Sequence, residues 1–296
     1  MSRVHDALRR AEQAGYLAPP QSPSAKAPTP PFTGARSPVT GRTIDQNLRG
    51  ILDQVQEVPF HISQDAHLID ANRPHEAPME EFRTLRTRLN HLQGLQPIHT
   101  VVVTSPSPAE GKSFAAANLA LAESHLTGNL TLLADFDFRR PIVHNMFQVE
   151  RSPGITDYLL GKAKLHEVLK RVAGTNLYIM PAGEAVINPL ELLNLQEVRT
   201  MLDNLPQLFN WVVIDSPPLL FAADANLLST FAHGTILVVR IGTTTIDSVT
   251  RAMSSLCENN VLGIIVNGAR RGELYSKYTY YHSYYYSKPD ERGPEA

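Results

Sequence analysis

The chain has 296 residues, 43% of them hydrophobic, and a formal net charge of −2, so it can bury one large core or two small ones. A charge so near zero gives no general attraction to nucleic acid or to an acidic membrane surface, and no nucleic-acid partner is expected. The single cysteine, Cys257, excludes an intrachain disulfide and fits a reducing compartment. No apolar run approaches the roughly 20 residues a membrane span requires. The first residues lack the apolar centre of a signal peptide, so a cytoplasmic location is expected.

In chain order, residues 1–16 predict a short helix: Ser2 can cap it, Val4, Leu8 and Ala11 share a face, and Gly15 can end it. Residues 17–45 change character, with seven prolines between Pro19 and Pro38 among Ser, Ala and Thr. Such a stretch buries too little apolar surface to order itself and is expected to be a disordered linker. Residues 46–269 read as one α/β domain. A helix over 78–92 leads into a buried strand over 98–104 and a helix over 113–125, rich in small and apolar residues. Strands follow over 130–136 and 177–181, then an amphipathic stretch over 189–205 and a strand over 211–215. A strand over 236–240, a helix over 246–258 and a strand over 262–267 complete the alternation. Repeated strand–helix units predict a parallel sheet with helices on both faces. Residues 270–296 break the pattern: seven of the ten tyrosines fall at Tyr275, Tyr278, Tyr280, Tyr281, Tyr284, Tyr285 and Tyr286, and no core periodicity accounts for them.

Three loops carry chemistry. Ser-Pro-Ser-Pro-Ala-Glu-Gly-Lys-Ser, residues 105–113, ends like the phosphate-binding loop G-x-x-x-x-G-K-S/T but has Pro106 at its first glycine. It stands where such a loop must, after a buried strand and at the opening of a helix. Backbone amides there can cradle phosphates, Lys112 can reach the β- and γ-phosphates, and Ser113 can hold Mg²⁺. Asp135-Phe-Asp-Phe-Arg-Arg-Pro141 and Asp215-Ser-Pro-Pro218 each end a strand with carboxylates. Ligands of open parallel sheets bind beyond the carboxyl ends of the strands, so the three loops can converge there, and carboxylates so placed can hold Mg²⁺ directly or through water. A Mg–nucleotide enzyme of P-loop NTPase type is expected.

At these residues the chain resembles the bacterial tyrosine kinases, which regulate polysaccharide synthesis and export. Ser105, Pro108, Glu110, Gly111, Lys112 and Ser113 match the family's S-x-x-P-G-E-G-K-S/T, Asp135 to Pro141 its D-x-D-x-R-R-P, and Asp215 to Pro218 its D-S-P-P. His144 and Phe147, GITDYLLG at 154–161, PAG at 181–183, NPLELL at 188–193 and the tyrosine-rich end extend the likeness over roughly residues 67–286. The family also lacks the first P-loop glycine, so Pro106 is no departure; Ala109, where the family usually has glycine, is one.

The resemblance implies transfer of the ATP γ-phosphoryl group to tyrosine hydroxyls. It places ATP against Ser107, Pro108, Ala109, Glu110, Gly111, Lys112, Ser113 and Phe114, and against Arg139 (or Arg140) and Asn267. Lys112, Asp135, Asp137 and Asp215 are the implied catalytic set, with Asp135 as proton acceptor and Ser113, Asp137 and Asp215 as holders of Mg²⁺. Glu80, Arg83 and Arg86 fit an E-x-x-R-x-x-R helix associated with a ring-like homo-oligomer. The seven clustered tyrosines are the implied autophosphorylation sites. A membrane polysaccharide co-polymerase as activator, recruiting the chain to the inner face of the membrane, and a tyrosine phosphatase are the implied partners. Two other readings share the loops: an ATP-switch ATPase of ParA/Min type, whose usual K-G-G-x-G-K lysine is replaced by Ser107, and a nucleotide-binding scaffold without catalysis.

Overall fold

The computed structural model describes residues 50–60, 68–69, 78–256 and 261–269. The helix expected over 1–16, the linker over 17–45, Cys257 and the tyrosines of 275–286 lie outside the described residues. The chain divides into two compact units, Met1–Asp53 and Gln54–Ala296. Of the first, only residues 50–53 are described, helical over 50–52.

Eight strands form one sheet: β1 (Gln56–Val58), β2 (Thr100–Thr104), β3 (Thr131–Asp135), β4 (Lys170–Val172), β5 (Leu177–Met180), β6 (Trp211–Asp215), β7 (Gly234–Arg240) and β8 (Val261–Asn267). Their order is β1-β4-β5-β3-β6-β2-β7-β8. The run from β5 to β8 is parallel throughout. The expected parallel sheet is found, with one antiparallel pairing at a margin. β4 pairs antiparallel with β5, and β1 follows β4, so these two strands run against the rest. Both are three-residue pieces, too short to carry a period of two.

The helices are α1 (Met79–Leu95), α2 (Lys112–Ser124), α3 (Val143–Met146), α4 (Ile155–Leu159), α5 (Leu165–Val168), α6 (Pro189–Leu193), α7 (Gln196–Leu208), α8 (Ala223–Phe231) and α9 (Ile246–Ser255). The amphipathic stretch read over 189–205 divides at Asn194 and Leu195 into α6 and α7, and α7 buries Val198, Met201, Leu202, Leu205 and Leu208 along one stripe.

Strands β2, β3 and β6 are buried on both faces, which is why they read as continuous apolar runs. On one face Val101, Val103, Val213, Ile236 and Val238 pack with the small residues of α2. On the other, Leu237 packs with Leu219, Ala225, Ala252 and Leu256, contributed by the β6–α8 loop, α8, α9 and the residue after it. Alternation along β7 thus supplies both layers. Helix α1 covers α2 in turn. Met79, Phe82 and Leu89 are buried, and Phe82 meets Phe114 edge-on with ring centroids 5.9 Å apart. The alanines of α2 let it lie between the sheet and α1, buried nearly all round.

A polar seam crosses this second contact. Asn90 of α1 donates to Glu123 Oε2 of α2 (2.8 Å) and accepts from the indole N–H of buried Trp211 (3.3 Å). Asn129 also donates to Glu123 Oε2 (3.1 Å), and Arg86 donates to the Ala122 carbonyl (2.9 Å). Glu123 Oε1 is buried without a partner.

Candidate active site

The loop after β2 turns sharply into α2 through two residues at positive φ, Ala109 (62°) and Gly111 (97°). Gly111 is needed for two reasons: its φ disfavours a side chain, and a Cβ would lie 2.0 Å from Asn267 Nδ2. Asn267, at the end of β8, fastens that approach by donating to the Glu110 carbonyl (2.9 Å) and accepting from the Gly268 amide (2.8 Å). Ala109 adopts a left-handed conformation with a Cβ, at a cost of about 1–2 kcal/mol relative to glycine. No side chain caps the N-terminus of α2, so its first amides remain available to an anion at the positive end of the helix dipole.

Glu110 does not face outward. It is buried, accepting the Ser107 amide (3.0 Å) on one oxygen and the Thr244 hydroxyl on the other. Arg240 donates to the Ala109 carbonyl (3.2 Å), and Thr244 accepts the Arg240 amide (2.8 Å). The phosphate loop is therefore held from the β7–α9 connection. Thr244 and Arg240 carry no local signal in the sequence.

Asp135 and Asp215 stand opposite each other in the β3–β6 register, so two adjacent strands end in buried carboxylates. Asp135 accepts the amides of Asp137 (3.2 Å) and Val143 (3.1 Å), one on each oxygen, and so shapes the loop that follows. Asp137 accepts the Arg140 amide on Oδ1 (3.0 Å) and pairs with Lys112 Nζ through Oδ2 (2.8 Å). Lys112 Nζ also reaches Ser113 Oγ (3.1 Å) and lies 3.7 Å from Asp215 Oδ1. Of the three aspartates, Asp137 faces the cavity; Asp135 and Asp215 lie behind it.

Burial raises the Asp215 carboxyl to about 6, partly opposed by the Lys112 ammonium and the Ser113 hydroxyl. Burial and then the Asp215 charge push Asp135 well above the usual carboxylate range. For Lys112 burial acts downward, but the charges of Asp215, Asp137 and Asp135 outweigh it and hold the ammonium above its ordinary value. The cluster keeps one permanent cation among three carboxylates.

These loops open onto a cavity of about 930 Å³, at the upper end of ligand-site sizes. Pro108, Ala109, Gly111, Lys112, Ser113, Phe114, Asp137, Arg139, Arg140 and Asn267 line it, with Ile142, Phe221 and Arg240 among others. Arg139 is also bound from behind. Its guanidinium makes a two-pronged bridge to buried Asp224 at the start of α8 (2.8 and 3.2 Å). The sequence motif marks Arg139 but not Asp224, because nothing local signals a partner 85 residues away.

A Mg²⁺ ion suits the residues present. Both Asp215 carboxylate oxygens are buried without a hydrogen-bond partner, beside the Ser113 hydroxyl. Among the described residues no group of three or more His, Cys, Asp or Glu could cage a metal. Mg²⁺ takes one or two protein oxygens and completes its shell with phosphate and water. The Glu80–Arg83–Arg86 stripe lies away from the cavity on α1: Glu80 and Arg83 pair with each other (2.6 Å), and Arg86 holds α2.

Among the described residues no helix is long and apolar enough to cross a membrane. No family model matches the chain. It is 32% identical to the tyrosine-protein kinase YwqD of Bacillus subtilis over 217 residues, covering 73% of this chain and 91% of that one. It is 30% identical over 227 residues to the tyrosine-protein kinase wzc of Salmonella typhimurium, covering 76% of this chain but 31% of that longer protein. The kinase domain of the Escherichia coli tyrosine kinase ETK superposes with a TM-score of 0.65 at 26% identity, covering 75% of this chain and 94% of that one. The chimerical protein CapA2B2 does so with 0.64 at 26%, covering 74% and 96%. The septum site-determining protein MinD of Pyrococcus horikoshii, complexed with Mg-ADP, shares the fold with a TM-score of 0.51 at 21% identity, covering 60% and 72%. The kinase relatives are matched more fully than MinD, and a P-loop, a D-x-D-x-R-R-P loop and a D-S-P-P loop around one cavity are accounted for together: the chain belongs to the bacterial tyrosine-protein kinases and is a nucleotide-binding protein-tyrosine kinase.

Proposed function

We propose that this kinase transfers the γ-phosphoryl group of ATP to the clustered tyrosines of residues 275–286 and thereby regulates exopolysaccharide or capsule synthesis and export. The observation that carries the reading is Lys112 at the mouth of an uncapped helix, 2.8 Å from Asp137 and 3.7 Å from Asp215, on a cavity large enough for a nucleotide. The α2 amides and Lys112 bind the phosphates. Lys112 shifts from carboxylate to phosphate oxygen without leaving a low-dielectric site. Asn267 and Arg240 border the side on which the base lies. Ser113, Asp215 and Asp137 are the residues to hold Mg²⁺, which supplies neutralisation of charge on the β- and γ-phosphates.

In the transfer, the phenol oxygen forms a bond to the γ-phosphorus while the bond from phosphorus to the β–γ bridging oxygen breaks, and ADP departs. The phenol proton passes to a carboxylate of the D-x-D pair and then to water. Asp137 faces the cavity, while Asp135 holds the loop from behind and keeps a high proton affinity.

The outward stripe of α1, with Glu80 and Arg83, is the surface for a homo-oligomer. Arg86 supports it by fixing α1 to α2. A membrane co-polymerase as activator and a tyrosine phosphatase complete the cycle. The test is incubation of the full chain with Mg-ATP, read by intact-mass and peptide mass spectrometry beside a Lys112→Met control. Several phosphates on residues 275–286, absent from the control, are expected. ATP hydrolysis without any phosphotyrosine overturns the reading.

A further inference from the structure

The ion pairs of the described residues are of two kinds. Arg83–Glu80, Lys162–Glu184, Arg171–Glu57 and Arg251–Asp247 are exposed on both sides. Such pairs contribute little, because water competes for each charge. The others seat a cation on a carboxylate exposed by 3% or less: Lys112 on Asp137 and Asp215, and Arg139 on Asp224. Both of these cations line the nucleotide cavity. The Lys112 pairs form the centre of the site described above, and the Arg139 pair repeats their construction beside it.

Asp224 lies in the first turn of α8, where the positive end of the helix dipole favours its charge, while the Arg139 side chain is 47% exposed. A bridge built this way contributes little to stability, because desolvating the carboxylate costs about as much as the pairing returns. What it does is orient. Asp224 accepts from Nε and Nη2, the side edge of the guanidinium (2.8 and 3.2 Å). Of the five N–H groups, the two on Nη1 and the second on Nη2 remain, and they form the end-on fork that matches two oxygens of a phosphate. Without Asp224 a long side chain on a loop sweeps many rotamers; with it, the fork has one setting on the cavity wall. Arg140 lines the same cavity, but no ion pair anchors it among the described residues.

Place in the fold says which part of the nucleotide the fork meets. Arg139 follows Asp137 by two residues, and Asp137 pairs with Lys112 at the mouth of α2 (2.8 Å). The base end of the cavity, at Asn267 and Gly268, lies at the other end of the order β3-β6-β2-β7-β8. We propose that Asp224 is a positioning residue for phosphoryl transfer, holding the Arg139 guanidinium with its end-on fork toward the γ-phosphoryl group of ATP. The inference rests on the kinase reading above and selects Arg139 over Arg140. In a loose transition state charge spreads over the equatorial oxygens of that group, and a fork already aimed there stabilises it without reorganising. Asp224 is not among the residues that line the cavity, so it acts through Arg139 alone.

The test follows phosphate on the full chain at saturating Mg-ATP by mass spectrometry, with Mg-ADP affinity read by isothermal titration. Asp224→Asn is expected to lower the rate about a hundredfold, the scale of a misplaced catalytic group. Mg-ADP affinity should stay within about twofold, because ADP lacks the γ-phosphoryl group. Arg139→Lys keeps the charge at a half-exposed position but loses the fork, and should lower the rate at least as far. The double variant should be no slower than Arg139→Lys alone, since Asp224 has no other route to the reaction. A wild-type rate in Asp224→Asn overturns the assignment. So does a Mg-ADP affinity that falls in step with the rate, or a double variant in which the two losses multiply; either makes Asp224 a support of the nucleotide site as a whole. If Asp224→Asn does not fold, Arg139→Lys still decides, because a wild-type rate there shows that the charge suffices without the fork. A wild-type protein that hydrolyses ATP but forms no phosphotyrosine fails the kinase reading instead. The same variants then read the Asp224 assignment on hydrolysis, in which water meets the same phosphoryl group.

Discussion

Two buried carboxylate clusters occupy opposite ends of α2. At its N-terminus, Asp215 is raised to about 6 and both its oxygens lack hydrogen-bond partners; at its C-terminus, Glu123 is raised to about 7 and one oxygen lacks a hydrogen-bond partner. Burial is the leading cause in both. The surroundings differ. Asp215 has Lys112 within 3.7 Å and lies behind a cavity at the positive end of the helix. Glu123 sits at the negative end, sealed under α1, with side-chain amides as its hydrogen-bond donors and Arg86 as a more distant charge. A displaced proton affinity therefore does not mark chemistry by itself. A cation, an opening and a favourable helix end beside it do.

The largest expected effect separates the clusters outright. Asp215→Asn should lower tyrosine phosphorylation about a thousandfold while raising the melting temperature by roughly 5 °C, because it removes a charge the fold keeps out of water. A variant that loses activity and stability together would make Asp215 a structural residue. Glu123→Gln should stabilise the protein by about 2 kcal/mol at pH 8 and leave kinase activity in place. The sign follows from the raised folded values. Each carboxyl favours folding while protonated, so its contribution is lost as pH rises, through about 6 for Asp215 and about 7 for Glu123. Thermal melts of the wild type should therefore fall from pH 5 to pH 8, and the upper part of that fall should vanish in Glu123→Gln. Over the same range Mg-ADP affinity should move the other way, weakening below about pH 6 as Asp215 takes up a proton. The smallest effect belongs to Ala109→Gly. Relief of the left-handed strain is offset by the greater freedom of the unfolded glycine, leaving a gain of up to about 1 kcal/mol and a nucleotide affinity raised by a few-fold at most. Isothermal titration with Mg-ADP reads it.

Legibility follows the distance over which each feature is encoded. The parallel strands and the three loops announce themselves locally, because a strand buried on both faces must be an apolar run and a phosphate loop must join a strand to a helix. Lys112, Asp137 and Asp215 come from three such loops, and the fold rule that gathers strand ends brings them together. Pairings made across the sheet are silent. Asp224 beneath Arg139, Thr244 on Glu110 and Arg240 on Ala109 are separated by 85, 134 and 131 residues. Each partner alone is an ordinary surface-type residue. The antiparallel margin is equally silent, since Gln56–Val58 and Lys170–Val172 have no pattern of their own. The buried position of Asp135 is a further case: a D-x-D motif says that two carboxylates project from one loop, not which of them the backbone consumes.

The seam between α1 and the sheet also has an optical consequence. Trp211 is the only tryptophan in the chain, fully buried, and its indole N–H is bound to Asn90 on α1. Tryptophan fluorescence, excited selectively over the ten tyrosines, therefore reports on the seating of the helix that carries Glu80 and Arg83. A red shift on mixing with nucleotide or on phosphorylation would record α1 lifting from α2 without any label attached.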